Sequence, residues 1–257
     1  MSIVLSKLQN RIGYIRMNRP EKRNALNPEL VFELKKAIRN FLDSSECKVM
    51  VLEAEGEAFC AGADLEYLIK LQNNSFEENL VDSKNLAELF ELIYLSRKPI
   101  IASIQGHALA GGCGLASICD ISIASSEAKF GYTEVKIGFV PAIVSVFLIK
   151  KIGEAACRNL LLTGNLIQAE SAMKLGLITD IANPTDLKEK VDQLASQLCE
   201  QTSAQSLAYT KQLFAHFQHP NLNEELDFAA QLNAEARSTD DCKKGISAFI
   251  SKTKITW

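Results

Sequence analysis

The fold is decided by residues 98–118, KPIIASIQGHALAGGCGLASI. Residues 100–104 are a compact run of strand-forming side chains, and residues 111–118 follow a glycine-rich turn with the spacing of a helix. A strand, a turn of small residues and a helix in direct succession are typical of a βα unit in a parallel sheet. Ligands of parallel sheets bind at the carboxyl ends of the strands. The stretch therefore predicts an α/β fold with a binding site at this turn.

The same alternation continues on both sides of this stretch. Asn27 and Pro28 are typical of a helix start, because Asn is a good N-cap and Pro loses no needed donor at the first helical position. Further strands are predicted over 3–8, 12–17, 48–53 and 120–124, and further helices over 28–42, 64–71 and 76–96.

The pattern changes at about residue 184, where the strands stop and helical stretches follow one another to the end. The breaks between these stretches are Thr202-Ser203, His219-Pro220 and Ser238-Thr239-Asp240. We therefore expect an α/β core over residues 1–183 and an all-α C-terminal region over 184–257 that packs on another surface.

The composition is that of an ordinary globular chain. The 257 residues are 47% hydrophobic, and 28 basic against 31 acidic side chains give a formal charge of −3. A dedicated nucleic-acid binder needs a basic surplus, so this class is disfavoured. No apolar run approaches the ~20 residues that cross a bilayer, and the amino terminus lacks a leader pattern. Seven scattered cysteines without a Cys-x-x-Cys pair indicate reduced thiols, and we expect a cytoplasmic protein.

Several common sites are excluded because their motifs are missing. The chain has no phosphate-binding P-loop motif, no Gly-x-Ser-x-Gly and no His-Glu-x-x-His. His216 and His219 have no third ligand in range, so no metal site is expected. After Gly112 and Gly114 the third glycine of a dinucleotide fingerprint is replaced by Ser117, which excludes a nucleotide cofactor of that type.

Two turns of small residues remain, over 58–64 and 105–114. Each is expected at the carboxyl end of a strand and before a helix, and small residues let a ligand approach the backbone N–H groups closely. The second turn also lies at a helix amino terminus, which favours a developing anion. Two such donors on one oxygen would form an oxyanion hole. Spacing alone favours a second explanation, in which the glycines serve only tight packing.

The sequence resembles the crotonase family, the enoyl-CoA hydratase/isomerase superfamily, over nearly its whole length. The matching segments are Asn18-Arg19-Pro20 with Asn24-Ala25-Leu26-Asn27, Phe59-Cys60-Ala61-Gly62-Ala63-Asp64-Leu65, Lys98-Pro99-Ile100-Ile101-Ala102 with Gly106 and Gly111-Gly112-Cys113, Ala169-Glu170-x-Ala172-x-x-x-Gly176-Leu177-Ile178, and Gly245-Ile246-x-Ala248-Phe249.

The resemblance implies a fold, a substrate and a set of site residues. The fold would be a crotonase-like spiral of ββα turns with a C-terminal helical trimerisation region, assembled as a homotrimer or homohexamer. The backbone N–H groups of Ala63 and Gly111 would polarise the thioester carbonyl of an acyl-CoA substrate, with no cofactor beyond that coenzyme A. The residues implied to bind coenzyme A are Arg23, Ala25, Ala61, Asp64, Leu65 and Lys252, with Lys252 acting within its own subunit or on a neighbour.

The number of glutamate side chains at the predicted site bears on which reaction is expected. Hydratases of this family typically carry two glutamates, and Glu134 matches the second, whereas Gly114 stands where the first would follow Cys113. Semi-apolar neighbours favour a raised pKa for Glu134 by desolvation. The alternative for Glu134 is a surface ion pair with Lys136 or Lys150.

Four functions follow as hypotheses. The leading one is hydration of a 2-enoyl-CoA, with a double-bond isomerase using Glu134 as its sole base and an acyl-CoA decarboxylase as alternatives. The fourth is a protein that is not an enzyme.

Cys113 and Ser117 are conceivable substitutes for the missing acid, although small buried residues beside a turn usually serve packing. Bulky residues over 142–147 are expected to make the acyl pocket more apolar. A non-enzyme homologue that binds RNA or serves as a scaffold would use the basic cluster of Lys35, Lys36 and Arg39.

Overall fold

The computed structural model describes residues 2–71, 73–216, 240 and 253. Its strands are β1 (Val4–Gln9), β2 (Ile12–Met17), β3 (Val49–Ala54), β4 (Ala58–Cys60), β5 (Ile100–Ile104), β6 (His107–Leu109), β7 (Ile121–Ser125), β8 (Lys129–Gly131), β9 (Ile167–Gln168) and β10 (Asp180–Ala182). Its helices are α1 (Pro28–Asp43), α2 (Leu65–Leu71), α3 (Phe76–Tyr94), α4 (Gly111–Ile118), α5 (Ala142–Thr163), α6 (Ala169–Lys174), α7 (Leu187–Gln201) and α8 (Ala204–His216). Short 3-10 helices cover Pro20–Lys22 and Glu134–Ile137.

The strands form two sheets, a large one and a small one. The large sheet has the order β1-β2-β3-β5-β7-β10, and the small sheet has the order β4-β6-β8-β9. β1 and β2 pair antiparallel around Asn10 and Arg11, whose φ values of 51° and 66° belong to a tight hairpin turn. β2, β3, β5, β7 and β10 are parallel, as are β4, β6 and β8.

The chain repeats one pattern three times between β3 and α5. In each repeat a strand of the large sheet is followed by a strand of the small sheet and then by helix: β3 and β4 precede α2 and α3, β5 and β6 precede α4, and β7 and β8 precede α5. The strands of successive repeats are neighbours in both sheets. The repeat is the expected spiral of ββα turns.

The small sheet was not expected from the sequence. Residues 58–64 and 105–114 were interpreted as turns from end to end, whereas β4 and β6 occupy part of each. These strands are three residues long, too short to give a pattern of alternating side chains. They form because residues 58–60 are buried and because Ala58 pairs with His107 and Cys60 with Ala108 of β6.

The core lies on both faces of the large sheet. The expected cap is present at α1, where the side chain of Asn27 accepts a 2.8 Å hydrogen bond from the Leu30 N–H. α1 packs on one face, and α7 packs on the other through Leu187, Val191, Ala195 and Cys199. α7 and α8 are separated at Thr202-Ser203, as predicted, whereas His219-Pro220 and Ser238-Thr239 lie outside the described residues. Among the described helices none is both long and apolar enough to span a bilayer.

Candidate active site

The predicted catalytic residues follow three neighbouring strands of the small sheet. Ala63 comes three residues after β4, Gly111 two residues after β6, and Glu134 three residues after β8. Because β4, β6 and β8 are adjacent and parallel, their carboxyl ends meet at one edge. The structure therefore brings all three residues to the same edge, where parallel sheets bind their ligands.

The N–H group of Ala63 points away from its backbone neighbour. Ala63 forms an isolated parallel bridge with Leu26, in which the Leu26 N–H donates to the Gly62 carbonyl at 2.6 Å and the Asp64 N–H donates to the Leu26 carbonyl at 2.8 Å. In a parallel bridge of this kind the central residue directs its own N–H to the opposite side. Ala63 is exposed, and within residues 2–71 and 73–216 its N–H has no acceptor. It is a donor available to a ligand.

Gly111 supplies a second donor at the amino terminus of α4. The first hydrogen bond of the helix runs from the Gly114 N–H to the Ala110 carbonyl at 3.1 Å, so the Gly111 N–H has no acceptor inside the helix. Gly111 is half-buried, and the helix dipole adds partial positive charge at this end. Ala110 has φ 50° and ψ −128°, a conformation that disfavours residues with a side chain. Such backbone strain is concentrated at functional sites in proteins.

The two turns are packed against each other without room for side chains. A Cβ on Gly62 would lie 2.8 Å from the Ala110 Cβ, and one on Gly112 would lie 2.3 Å from the Cys60 carbonyl oxygen. A Cβ on Gly106 would lie 1.8 Å from the Glu57 carbonyl oxygen. The packing explanation of the glycines therefore holds for these three positions. It does not compete with the donor explanation, since close packing is what brings the two turns together.

Glu134 is the buried carboxylate of this edge. It opens the short 3-10 helix after β8, its residue exposure is 8%, and its Oε2 atom has no hydrogen-bond partner among the described residues. Burial raises the pKa of Glu134 above the ordinary value of a glutamate, and a hydrogen bond with its own backbone offsets part of that effect. In the part of the chain that the structure describes, neither Lys136 nor Lys150 forms an ion pair with it. In the described part of the chain, the Oε2 atom of Glu134 is therefore left without a protein partner.

The residues predicted to bind coenzyme A form a strip beside the first turn. Residues 23–26 lie against residues 61–64 through the Leu26–Ala63 bridge and a 3.0 Å hydrogen bond from the Ala61 N–H to the Arg23 carbonyl. Arg23 and Leu65 are exposed, Ala61 is half-buried and Ala25 is buried. Lys252 lies outside the described residues.

Asp64 belongs to this strip but its carboxylate is occupied. One oxygen accepts from the Arg19 guanidinium at 2.9 Å, and the other accepts from the Glu66 N–H at 3.0 Å at the start of α2. Burial alone would raise the pKa of Asp64, but these hydrogen bonds outweigh it and the pKa lies below its usual range. Arg19 also donates to the Ala25 carbonyl at 2.7 Å. Sequence reasoning did not assign Arg19 a role, although it stands in the Asn18-Arg19-Pro20 signature.

The two proposed substitutes for the missing acid are both buried. Cys113 is fully buried, and this burial raises its thiol pKa to about 12. The Ser117 hydroxyl donates to the Gly114 carbonyl at 3.0 Å and lies 3.4 Å from the Tyr132 hydroxyl. These contacts are those of packing residues, and Glu134 remains the candidate for proton transfer.

The basic cluster on α1 is smaller than the sequence indicates, because Lys35 is buried and only Lys36 and Arg39 are exposed. The Lys35 ammonium is 3.0 Å from a Glu88 carboxylate oxygen of α3, and Lys35 as a whole is buried. Lys36 lies 3.6 Å from a Glu33 carboxylate oxygen one turn earlier. A surface that attracts nucleic acid needs basic groups free to contact phosphate, so the structure gives the RNA-binding hypothesis no support.

A separate cavity of about 310 Å³ lies at the other end of α4. Two of its lysines are already engaged: Lys211 forms a 2.6 Å ion pair with Asp120, and Lys151 donates to the Ser117 and Cys119 carbonyls. This cavity is distinct from the edge where Ala63, Gly111 and Glu134 meet.

Comparisons with known proteins identify the family of this chain. The sequence profile of the family Enoyl-CoA hydratase/isomerase matches residues 7–257. The chain is 41% identical over 241 residues to a Thermus thermophilus protein that carries the provisional name enoyl-CoA hydratase, with 94% of this chain and 95% of that protein covered. It is 31% identical over 262 residues to the crotonyl-CoA hydratase of Syntrophomonas wolfei, with 100% and 97% covered.

A solved structure gives the same result for the fold. The enoyl-CoA hydratase of Shewanella pealeana superposes with a TM-score of 0.94 at 30% identity, and the alignment covers 100% of this chain and 96% of that one. The architecture is therefore the crotonase fold, an α/β spiral with a helical C-terminal region. The chain belongs to the enoyl-CoA hydratase/isomerase family.

Proposed function

We propose that this protein is an enoyl-CoA hydratase, a lyase that adds water to the C2=C3 double bond of a 2-enoyl-CoA. The observation that carries the proposal is the edge of the small sheet, where two N–H groups with no acceptor among the described residues and a buried carboxylate with one unpartnered oxygen follow three adjacent strands. The names of the relatives from Thermus thermophilus and Syntrophomonas wolfei support the same reaction.

The N–H groups of Ala63 and Gly111 bind the thioester oxygen in this proposal. Donors directed at that oxygen withdraw electrons from the conjugated double bond and make C3 electrophilic. They also stabilise the negative charge that the oxygen acquires when water attacks C3. Each donor in such a hole is typically worth about 2.7–4 kcal/mol in the transition state.

Glu134 performs both proton transfers in the proposed reaction. The carboxylate accepts a proton from water while the water oxygen bonds to C3, and it returns that proton to C2 as the enolate collapses. One O–H bond and the π bond break, one C–O bond and one C–H bond form, and Glu134 ends ionised as it began. The raised pKa suits this role, since the group must be a base strong enough to take the proton and an acid strong enough to return it.

In this proposal the protein binds its substrate through the coenzyme A part of the molecule, and no further cofactor is required. Arg23 is exposed beside the first turn, and in this proposal it contacts a phosphate, with Lys252 as a second phosphate contact. Ala25, Ala61 and Leu65 form the surface for the adenine ring. Asp64 contributes by fixing the turn, through Arg19 and the start of α2.

The assembly and the compartment complete the proposal. A homotrimer or homohexamer would cover apolar side chains that the single chain exposes after Glu134, among them Ile137, Phe139 and Val140. Light scattering on the purified protein tests this assembly. The six described cysteines are free and buried, which suits the reducing cytoplasm.

A double-bond isomerase is the second candidate, because the site offers one carboxylate at the position where proton transfer is needed. Moving a proton between C2 and C4 requires one base, and Glu134 alone would suffice. A decarboxylase is the third, since the same two N–H donors would stabilise the enolate left after loss of CO₂.

Product analysis by mass distinguishes these reactions. Purified protein is offered a 2-enoyl-CoA, a 3-enoyl-CoA and a malonyl-type CoA, with Glu134→Gln as the test variant and Glu127→Gln, at an exposed position before β8, as the matched control. We expect a gain of one water on the 2-enoyl-CoA and a loss of about 10²–10⁴-fold in kcat for Glu134→Gln only. Full turnover by Glu134→Gln would contradict the assignment, and exclusive turnover of one of the other two substrates would replace the reaction.

A further inference from the structure

Position 114 of α4 has no room for a side chain. A Cβ on Gly114 would lie 2.3 Å from the Val144 Cγ1 atom, 3.1 Å from the Val144 Cβ atom and 3.0 Å from the Phe90 Cε1 atom. Gly114 is one helical turn beyond the donor Gly111, so this contact lies beside the proposed oxyanion hole. The volume next to the hole is therefore filled with apolar groups.

The two side chains that fill this volume are held firmly. Val144 is in the first turn of α5, ten residues after Glu134, and is 5% exposed. Its branched side chain has one strongly preferred rotamer in a helix, so it cannot turn aside without strain. Phe90 is fully buried on α3, and its ring packs on Phe147 with 6.1 Å between the ring centroids.

We propose that Val144 determines the acid–base chemistry of this site: its side chain occupies the space of position 114, so that no second carboxylate can stand there beside Glu134. The proposal rests on the proposed hydratase function for its chemical consequence, but its steric part does not. The segment that carries Glu134 thus also supplies the residue that keeps Glu134 without a partner acid. Both proton transfers of the hydration, from water and to C2, must then pass through Glu134.

The steric part is tested by a double-mutant cycle of Gly114→Ala and Val144→Ala, read by thermal unfolding. Alanine is favoured over glycine inside a helix, so a loss from Gly114→Ala comes from overlap with the Val144 and Phe90 side chains, and the Val144→Ala background measures the share that is due to Val144. We expect Gly114→Ala alone to lower the melting temperature by about 3–10 °C. In the Val144→Ala background, Gly114→Ala should lower the melting temperature by less than half of that amount, because the Val144 Cγ1 atom is absent. An equal loss in both backgrounds would overturn the proposal.

The chemical part is tested by placing a carboxylate in the opened space. Gly114→Glu is combined with Val144→Ala, and the matched control is Gly114→Gln in the same background, which has the same shape but cannot ionise. We expect the glutamate form to hydrate a 2-enoyl-CoA at least about tenfold faster than the glutamine form, as general acid–base catalysis requires. Equal rates for the two forms would contradict the chemical part.

The two readouts separate the two claims. If the unmutated protein hydrates no enoyl-CoA, the proposed function fails, and the melting cycle still decides whether Val144 excludes position 114. If hydration is observed and the cycle shows no coupling, the role of Val144 fails while the proposed function stands.

Discussion

The large and small sheets differ in what they contribute: one supports the core and the other carries the candidate catalytic residues. The large sheet has strands of up to six residues whose side chains fill the core on both faces, against α1 on one side and α7 on the other. The small sheet has strands of two or three residues, yet the candidate catalytic residues Ala63, Gly111 and Glu134 all follow it. The large sheet therefore has the core packed on both of its faces, whereas the small sheet sets the relative positions of the candidate catalytic groups.

The difference shows how a shared fold can carry a specific chemistry. Each repeat of the spiral enters the small sheet briefly and leaves it at the same edge, so three separate loops are brought side by side. The glycines at these loops allow contacts as close as that of Gly112 with the Cys60 carbonyl. If the large sheet supports the core and the small sheet positions the candidate catalytic groups, substitutions in the large sheet should lower stability, and those in the small sheet should lower kcat/KM.

The largest effect is expected from Gly112→Ala at the small sheet. The added methyl group would be 2.3 Å from the Cys60 carbonyl oxygen and would force the two donor turns apart. Because a displacement of about 1 Å can cost 10²-fold in rate, we expect kcat/KM to fall by about that factor. Initial rates with a 2-enoyl-CoA, normalised to folded protein, provide the measurement.

The matched control is Gly13→Ala on β2 of the large sheet. Its methyl group would lie 2.7 Å from the Phe41 ring, a smaller overlap that involves a side chain of the core and not the turns with the donors. We expect lower stability with kcat/KM of the folded fraction unchanged. Equal damage to kcat/KM by both substitutions would contradict the division between the sheets.

A core deletion in the large sheet should act on stability alone. Ile101 on β5 is fully buried among the side chains that face α7. Ile101→Ala is expected to lower the free energy of unfolding by about 2–5 kcal/mol, from lost apolar burial and the cavity left behind. Denaturant titration measures the loss, and a parallel loss of kcat/KM in the folded fraction would show that the large sheet also positions the site.

The smallest expected effect is a dependence of stability on pH caused by Glu134. Its folded pKa is raised, so the native state keeps its proton to a higher pH than the unfolded chain does. Stability is therefore lost as the pH rises from about 4.3, the ordinary glutamate value, through the folded pKa. Glu134→Gln has no such loss and should melt a few degrees higher than the unmutated protein at neutral pH.

Melting curves from pH 4 to pH 8 measure this difference. We expect the gap between Glu134→Gln and the unmutated protein to close as the pH falls to about 4, since both side chains are then neutral. A gap that does not change with pH would show that the Glu134 carboxylate is not destabilised in the folded protein.

The sequence predicted the large sheet better than the small one, for a physical reason. Strand β5 and helix α4 have the predicted bounds 100–104 and 111–118, because runs of five or more residues carry a readable pattern. Strands β4 and β6 are three residues long and form through pairing with distant chain segments, which local pattern cannot reveal. Their residues were therefore interpreted as turns.

The site was predictable in part. The small-residue turns and Glu134 were identified from motifs, and their meeting at one edge follows from strand order, which only the fold supplies. Two features had no readable signal. Val144 fills the space at position 114 only because α4 packs against α5. The hydrogen bond between the Arg19 guanidinium and the Asp64 carboxylate joins segments 45 residues apart.

The proposed reaction depends most on the Ala63 and Gly111 N–H groups, and replacement of one amide by an ester tests them directly. Incorporation of lactic acid at position 63 exchanges the N–H for an oxygen and leaves the methyl side chain in place. That N–H has no acceptor among the described residues, so no hydrogen bond is lost at the donor, but the ester makes the Gly62 carbonyl a weaker acceptor for the Leu26 N–H, and thermal unfolding measures this structural cost. We predict that kcat for a 2-enoyl-CoA falls by about 10²–10³-fold with little change in melting temperature. An ester variant that folds and turns over at the unmodified rate would contradict the oxyanion hole on which the proposed function is built.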